Sequence, residues 1–182
     1  MQPIKQLAQT LADLADKDHA LFSPADLRAV LPKHHSGAFR ALLSRAEKNG
    51  LLRRVCRGLY LYPHADYSAG LILYHAAARL RADGFNYISL ESALSDAGVI
   101  SQIPMNRVTL MSSGRTACIS CGEFGAIEFV HTKKQPAGVV GELMYDVRCH
   151  LWRASVGLAM RDMRAARRSL DLVDREAIDE SL

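Results

Sequence analysis

Residues 22–63 read FSPADLRAVLPKHHSGAFRALLSRAEKNGLLRRVCRGLYLYP, and the punctuation of this stretch predicts two short helices followed by a strand pair. Ser23 can accept from orphan backbone amides, Pro24 sits where a missing N–H costs nothing, and Asp26 suits the positive first turn, so a helix starts at Ser23. It stops near Leu31, because Pro32 disfavours helical geometry in the residue before it. Pro32, Lys33, His34 and His35 then make a turn of helix-turn-helix length. A second helix runs from about Ser36 to Asn49, with Phe39, Leu42, Leu43 and Ala46 on one face and Arg40, Ser44 and Lys48 on the other. Gly50 supplies its left-handed stop. Leu51–Val55 and Leu59–Tyr62, joined by Cys56, Arg57 and Gly58, read as a hairpin, the wing of a winged helix.

Charge sharpens this reading. Arg28, Lys33, Arg40, Arg45, Lys48, Arg53, Arg54 and Arg57 stand against a single acid, Glu47, between residues 28 and 57, whereas the whole chain of 182 residues carries a formal +4. A local excess of this kind is the footprint of a phosphate-binding surface. The expected contacts to double-stranded DNA are Lys33, His35, Ser36, Arg40, Ser44, Arg53, Arg54 and Arg57, with Arg40 early enough in the recognition helix to reach a base edge. The bland alternative is a solvated basic rim on an ordinary helical hairpin.

Upstream, Ile4, Leu7, Ala8, Leu11, Leu14 and Ala15 recur at helical spacing within residues 3–17 and predict a support helix, and Leu21 or Phe22 is placed to staple the next one. Pro63, His64, Ala65 and Asp66 break the pattern, so residues 1–66 are expected to form one domain and 67–182 another. The first holds ten basic and six acidic side chains and the second thirteen of each, which points to different jobs.

In the second half, residues 67–82 predict a helix with Leu71, Tyr74, Ala77 and Ala78 inward. Ser89 is placed to cap the next helix, whose Ala93, Leu94 and Ala97 face inward before Gly98 closes it. From Ile103 onward, the runs Arg107–Met111, Cys118–Ser120, Ala126–Val130 and Val139–Val147 predict a small, mostly antiparallel sheet. Ala154–Leu170 returns to helical spacing, with Val156, Ala159, Met160, Met163 and Ala166 apolar and Arg161, Arg164 and Arg168 opposite, within about 60° of one another. Asp174 is placed to cap a terminal helix containing Ala177 and Ile178. The expected class is α+β: an N-terminal winged helix-turn-helix joined to a C-terminal mixed α/β domain with a small sheet.

No apolar run approaches membrane-spanning length and no signal peptide is visible, so a cytoplasmic protein with reduced Cys56, Cys118, Cys121 and Cys149 is expected. Cys118-Ile-Ser-Cys121 has the spacing of half a zinc site, which His131, Cys149 and His150 could complete. The competing reading makes them small apolar residues beside a strand, and no metal or cofactor is expected. A phosphate-cradling glycine loop, a histidine-glutamate zinc helix and a nucleophile elbow are all missing, so no enzyme is expected.

The order of these parts resembles the AbiEi-type antitoxins of type IV toxin-antitoxin systems. The resemblance rests on Asn49-Gly50-Leu51-Leu52-Arg53-Arg54-Val55 through Arg57-Gly58-Leu59-Tyr60, on Tyr87-Ile88-Ser89-Leu90-Glu91-Ser92-Ala93-Leu94, and on Arg168-Ser169-Leu170-Asp171-Leu172-Val173-Asp174. The family's usual Pro-Glu-Lys-Ala before the late helix is replaced by Ala154-Ser155-Val156-Gly157. The resemblance implies an autorepressor that binds an inverted-repeat operator, with a C-terminal domain that counters a nucleotidyltransferase-like toxin without forming a stable complex. Arg161, Arg164 and Arg168 are the candidate antitoxin surface. Two other readings stay open: a winged-helix regulator whose C-terminal domain senses a ligand, and a zinc-dependent enzyme built on Cys118 and Cys121.

Overall fold

The computed structural model describes residues 2–31, 35–100 and 106–174, and the chain divides into two compact units, Met1–Ile72 and Leu73–Leu182. Among the described residues there are seven α-helices and two sheets.

The first unit begins with α1 (Pro3–Leu14), which opens on proline at its first position and buries Leu7 and Leu11. The helix is shorter than the periodicity predicts. Asp16 accepts from the backbone N–H groups of Asp18 and His19, both at 2.8 Å, and this turn replaces the last helical turn; Leu14 is left 54% exposed. β1 (Leu21–Phe22) follows, then α2 (Pro24–Val30). Ser23 and Asp26 form a reciprocal capping box: the Asp26 N–H donates to Ser23 Oγ at 3.2 Å and the Ser23 N–H donates to Asp26 Oδ2 at 2.7 Å. α3 (Ser36–Lys48) buries Phe39, Leu42, Leu43 and Ala46, the face its spacing predicts.

Gly50 adopts φ +72° beyond α3, and the N–H groups of Leu51 and Leu52 both bond the Ala46 carbonyl. That use of the two amides delays the first wing strand, so β2 is Arg53–Cys56 rather than starting at Leu51, and β3 is Leu59–Leu61. β1 adds to the outer side of β3, giving a three-stranded antiparallel sheet of order β1-β3-β2 where the sequence predicts two strands. Leu7, Leu11, Phe22, Leu27, Leu31, Phe39, Leu42, Leu52 and Tyr60 belong to one core cluster that joins all three helices to this sheet.

α4 is Ile72–Leu80, entered through a short 3-10 turn, and all of it but Ile72 belongs to the second unit. Its buried face is Ile72, Leu73, Ala76 and Ala77 together with His75; of the predicted face Ala77 is buried, while Leu71, Tyr74 and Ala78 are only half-buried. β4 (Asn86–Ile88) and α5 (Leu90–Asp96) follow, with Ala97 exposed rather than inward. Then come β5 (Arg107–Ser112), β6 (Ala117–Ser120) and β7 (Ala126–His131). Pro136 starts α6 (Pro136–Val139), so the predicted strand 139–147 shrinks to β8 (Leu143–Asp146). β9 (Leu151–Ala154) ends on Ala154, the first residue of the predicted late helix, and α7 runs Val156–Ala165 before Arg167 turns to φ +55°. The terminal helix expected at Ala177 and Ile178 lies outside the described residues.

The strand order is β6-β7-β5-β4-β9-β8. It is a mixed sheet: β5/β7 and β4/β9 pair parallel, the other three neighbours antiparallel. Ser89 stands at the N-cap of α5 but makes no side-chain cap bond there. Its hydroxyl donates to Asp162 of α7 at 2.7 Å, and Tyr87 donates to the same oxygen at 3.0 Å. Lys134 pairs with the other Asp162 oxygen, so a carboxylate with no exposed surface has all its partners. Thr109 of β5 takes over the cap, accepting from the Ser92 N–H at 3.1 Å.

Candidate nucleic-acid interface

α3 enters the site through two local restraints. Arg28, at the end of α2, lies 4.8 Å from the centroid of the Phe39 ring and donates to Ser36 Oγ at 3.2 Å. His35 is the N-cap and accepts from the Ala38 N–H through Nδ1 at 3.4 Å. These contacts fix the start of the helix, whose N-terminus carries a partial positive charge suited to phosphate.

The exposed residues of α3 are Ser36, Gly37, Arg40, Ala41, Ser44, Arg45 and Lys48. At roughly 100° per residue, Gly37, Ala41, Ser44 and Lys48 fall within about 60° of one another, with Arg40 on one flank and Arg45 on the other. A smooth strip of small side chains between two guanidinium groups lets a helix sit deep in a groove while reaching both walls. Sequence reasoning singled out Arg40 and Ser44; Gly37 and Ala41 complete the strip, and their smallness at helical spacing was the available signal. Arg40 is exposed, and its Nε donates to the Ser36 carbonyl at 3.4 Å.

The hairpin divides its arginines. Arg54 donates to Glu47 Oε2 and to the Tyr60 hydroxyl, each at 3.2 Å, with its guanidinium 5.4 Å from the Tyr60 ring centroid. It therefore turns toward α3, and the pleat sends the adjacent Arg53 to the other face. Arg57 is exposed in the turn, beside Gly58 at φ +80°. Lys33 and His34 lie outside the described residues.

The other predicted surface is less uniform. Arg161 pairs with Glu142 at 2.5 Å, while Arg168 pairs with Glu128 and lies 3.8 Å from Glu91. Arg164 is exposed and, among the described residues, makes no ion pair. Cys118 is exposed on β6 and Cys121 is buried. Burial and the neighbouring Asp146 carboxylate push the Cys149 thiol up to about 11. Among the described residues no group of three or more His, Cys, Asp or Glu side chains is arranged to hold a metal ion. A cavity of about 500 Å³ opens beside Ala93, Asp96, Met144, Arg153 and Val156. No described helix is long and apolar enough to cross a membrane.

The exposed basic face of α3 falls within the part of the chain that can be compared with a known family. Residues 9–63 match the family model described as a transcriptional regulator, AbiEi antitoxin. The match runs from within α1 to just beyond β3 and shows that this segment is similar to that family. No curated protein matches the chain.

Proposed function

We propose that residues 1–66 form a winged helix that binds an inverted-repeat operator in double-stranded DNA and represses transcription of its own operon, and that residues 67–182 counter a nucleotidyltransferase-like toxin. The observation that carries the DNA reading is the strip Gly37, Ala41, Ser44 flanked by Arg40 and Arg45 on the exposed face of α3. α3 enters the major groove, Arg40 reads a base edge, and Arg53 and Arg57 hold phosphates from the hairpin. The antitoxin reading is supported by the family match and by the even charge balance of the second half. The protein works in the cytoplasm, is not an enzyme, and acts on the toxin without a stable complex. The cavity beside Arg153 favours one second reading, a ligand-sensing C-terminal domain.

The test separates the two activities. With the protein expressed from an unrelated promoter, replacing Arg40, Arg53 and Arg57 by alanine should abolish operator binding yet leave cells protected when the toxin is induced. Loss of protection in a folded, abundant triple variant would contradict the two-function reading. Glutamate at Arg161, Arg164 and Arg168 should do the reverse; protection unchanged by that reversal would remove these arginines from the antitoxin surface.

A further inference from the structure

The cavity of about 500 Å³ in the second unit lies between the C-terminal half of α5, the β8–β9 hairpin and the start of α7. Its volume suits a whole small molecule rather than one inserted side chain. Ala93, Ala97, Met144, Val147 and Val156 give it an apolar lining, and Asp96, Asp146, Arg148 and Arg153 bring two charges of each sign. These four charges sum to zero, so the class of ligand is decided by which group has unfilled bonding capacity.

Asp146 has none left. Its Oδ1 accepts from the Arg148 backbone N–H at 3.0 Å and from Arg148 Nε at 3.2 Å, while its Oδ2 accepts from Arg148 Nη2 at 3.0 Å and Arg153 Nη2 at 2.9 Å. Arg148 is neutralised by the carboxylate it grips. Arg153, with only 18% of its side chain exposed, is held between Asp146 and Asp96, so an anion would reach it only by displacing one carboxylate against the repulsion of the other. Asp96 is different. Its bonds from Arg153 and from the Tyr74 hydroxyl, the latter at 3.2 Å, both fall on Oδ2. Oδ1 accepts nothing among the described residues, and the side chain is 41% exposed. Burial and the Asp96 charge push the Tyr74 phenol up to about 12, so Tyr74 stays a neutral donor.

We infer that this cavity binds a small organic ammonium ion, whose N–H donates to Asp96 Oδ1 while its apolar body lies against Ala93, Ala97, Met144, Val147 and Val156. The inference rests on the ligand-sensing reading of the second unit and names the ligand class. A hydrogen bond between two ionised groups is roughly twice as strong as a neutral one, and this is what an amine gains over an alcohol of the same shape. The Arg153 charge, which would oppose a cation, is offset by Asp146 on its other side.

Trp152, the single tryptophan, packs edge-on against the cavity residue Tyr145 with ring centroids 5.3 Å apart, so its fluorescence reports occupancy. The full-length protein is titrated with phenethylamine, 2-phenylethanol and 3-phenylpropionate, which present one aromatic body with a cationic, a neutral and an anionic end. Phenethylamine should saturate the signal by about 10 mM and bind at least about tenfold more tightly than the other two. Asp96→Asn should remove that preference. Ala97→Phe, at an exposed position, should fill the cavity and block all three compounds, with circular dichroism unchanged in both variants. Equal binding of the three compounds to wild type would overturn the ammonium assignment while leaving a ligand site. A preference for the amine that persists in Asp96→Asn would overturn the role of Asp96, and no saturable binding by any compound would overturn the site itself. Amine binding that leaves affinity for operator DNA unchanged would uphold the site and remove sensing from the second unit.

Discussion

The guanidinium of Arg54 lies 3.2 Å from the carboxylate of Glu47, so the single acid between Arg28 and Arg57 is held by the hairpin arginine that turns toward α3. Both side chains are substantially exposed, and the pair adds little to stability. Its consequence is electrostatic: the exposed Arg40, Arg45, Lys48, Arg53 and Arg57 stand in a segment with no carboxylate left uncompensated. Glu47→Gln should therefore raise affinity for random-sequence DNA and steepen the salt dependence by about one charge, measured by fluorescence anisotropy over a salt series. An unchanged slope would mean that Arg54 does not approach phosphate when released.

Arg40 and Arg57 should behave differently from each other. Arg40→Ala is expected to cost about 1–3 kcal/mol on the operator and to relax preference at one base position, while Arg57→Ala weakens operator and random DNA alike. Competition binding with single-position operator variants distinguishes the two, and equal losses on all sequences for both substitutions would remove Arg40 from base readout.

Much of this arrangement is legible in the residues themselves. The inner face of α3, its Gly50 stop and the Ser23 cap are all local signals, and each is where its spacing predicts. β1, β4 and β9 were not legible, because two to four residues are too few to display an alternation and Tyr87 and Ile88 of β4 are both completely buried. The Asp162 network was invisible for another reason: its partners Tyr87 and Ser89 stand more than seventy residues away, and aspartate on a helix ordinarily reads as solvated. Arg168 was misleading for the same cause, since Glu91 and Glu128 reach it from distant elements.

Asp162 should be among the costliest polar residues to remove. Asp162→Ala strands the Lys134 charge and leaves two buried hydroxyl groups without their acceptor, an expected loss of about 3–5 kcal/mol in the second unit. The single tryptophan, Trp152, lies in β9 and reports that unit, so its fluorescence in urea measures the effect. A loss below about 1 kcal/mol would show that the network contributes little.

Acid should weaken the second unit through Asp146. Hydrogen bonds from Arg148 and Arg153 hold its carboxyl well below the usual carboxylate range, against the opposing effect of burial. The folded value lies below the unfolded one, so the stabilisation is fully present above about pH 4 and is lost as pH falls through the folded value. Arg148 is 73% exposed and Arg153 only 18%, so most of the energy belongs to Arg153 despite the larger influence of Arg148 on the carboxyl. Asp146→Asn should cost about 1.5–3 kcal/mol at neutral pH, with the gap to wild type closing in acid. Urea titrations at neutral and acidic pH check this, and a gap independent of pH would contradict it.

The central claim, that the basic face of α3 and the hairpin bind DNA, is tested most directly by titrating the full-length protein against duplex DNA from upstream of its own operon and against random duplex, at low and physiological salt. Wild type should bind both at low salt, prefer its own DNA, and weaken steeply as salt rises; the variant with alanine at Arg40, Arg53 and Arg57 should lose binding to both while remaining folded. Binding by that variant equal to wild type, with the same salt dependence, would contradict the account.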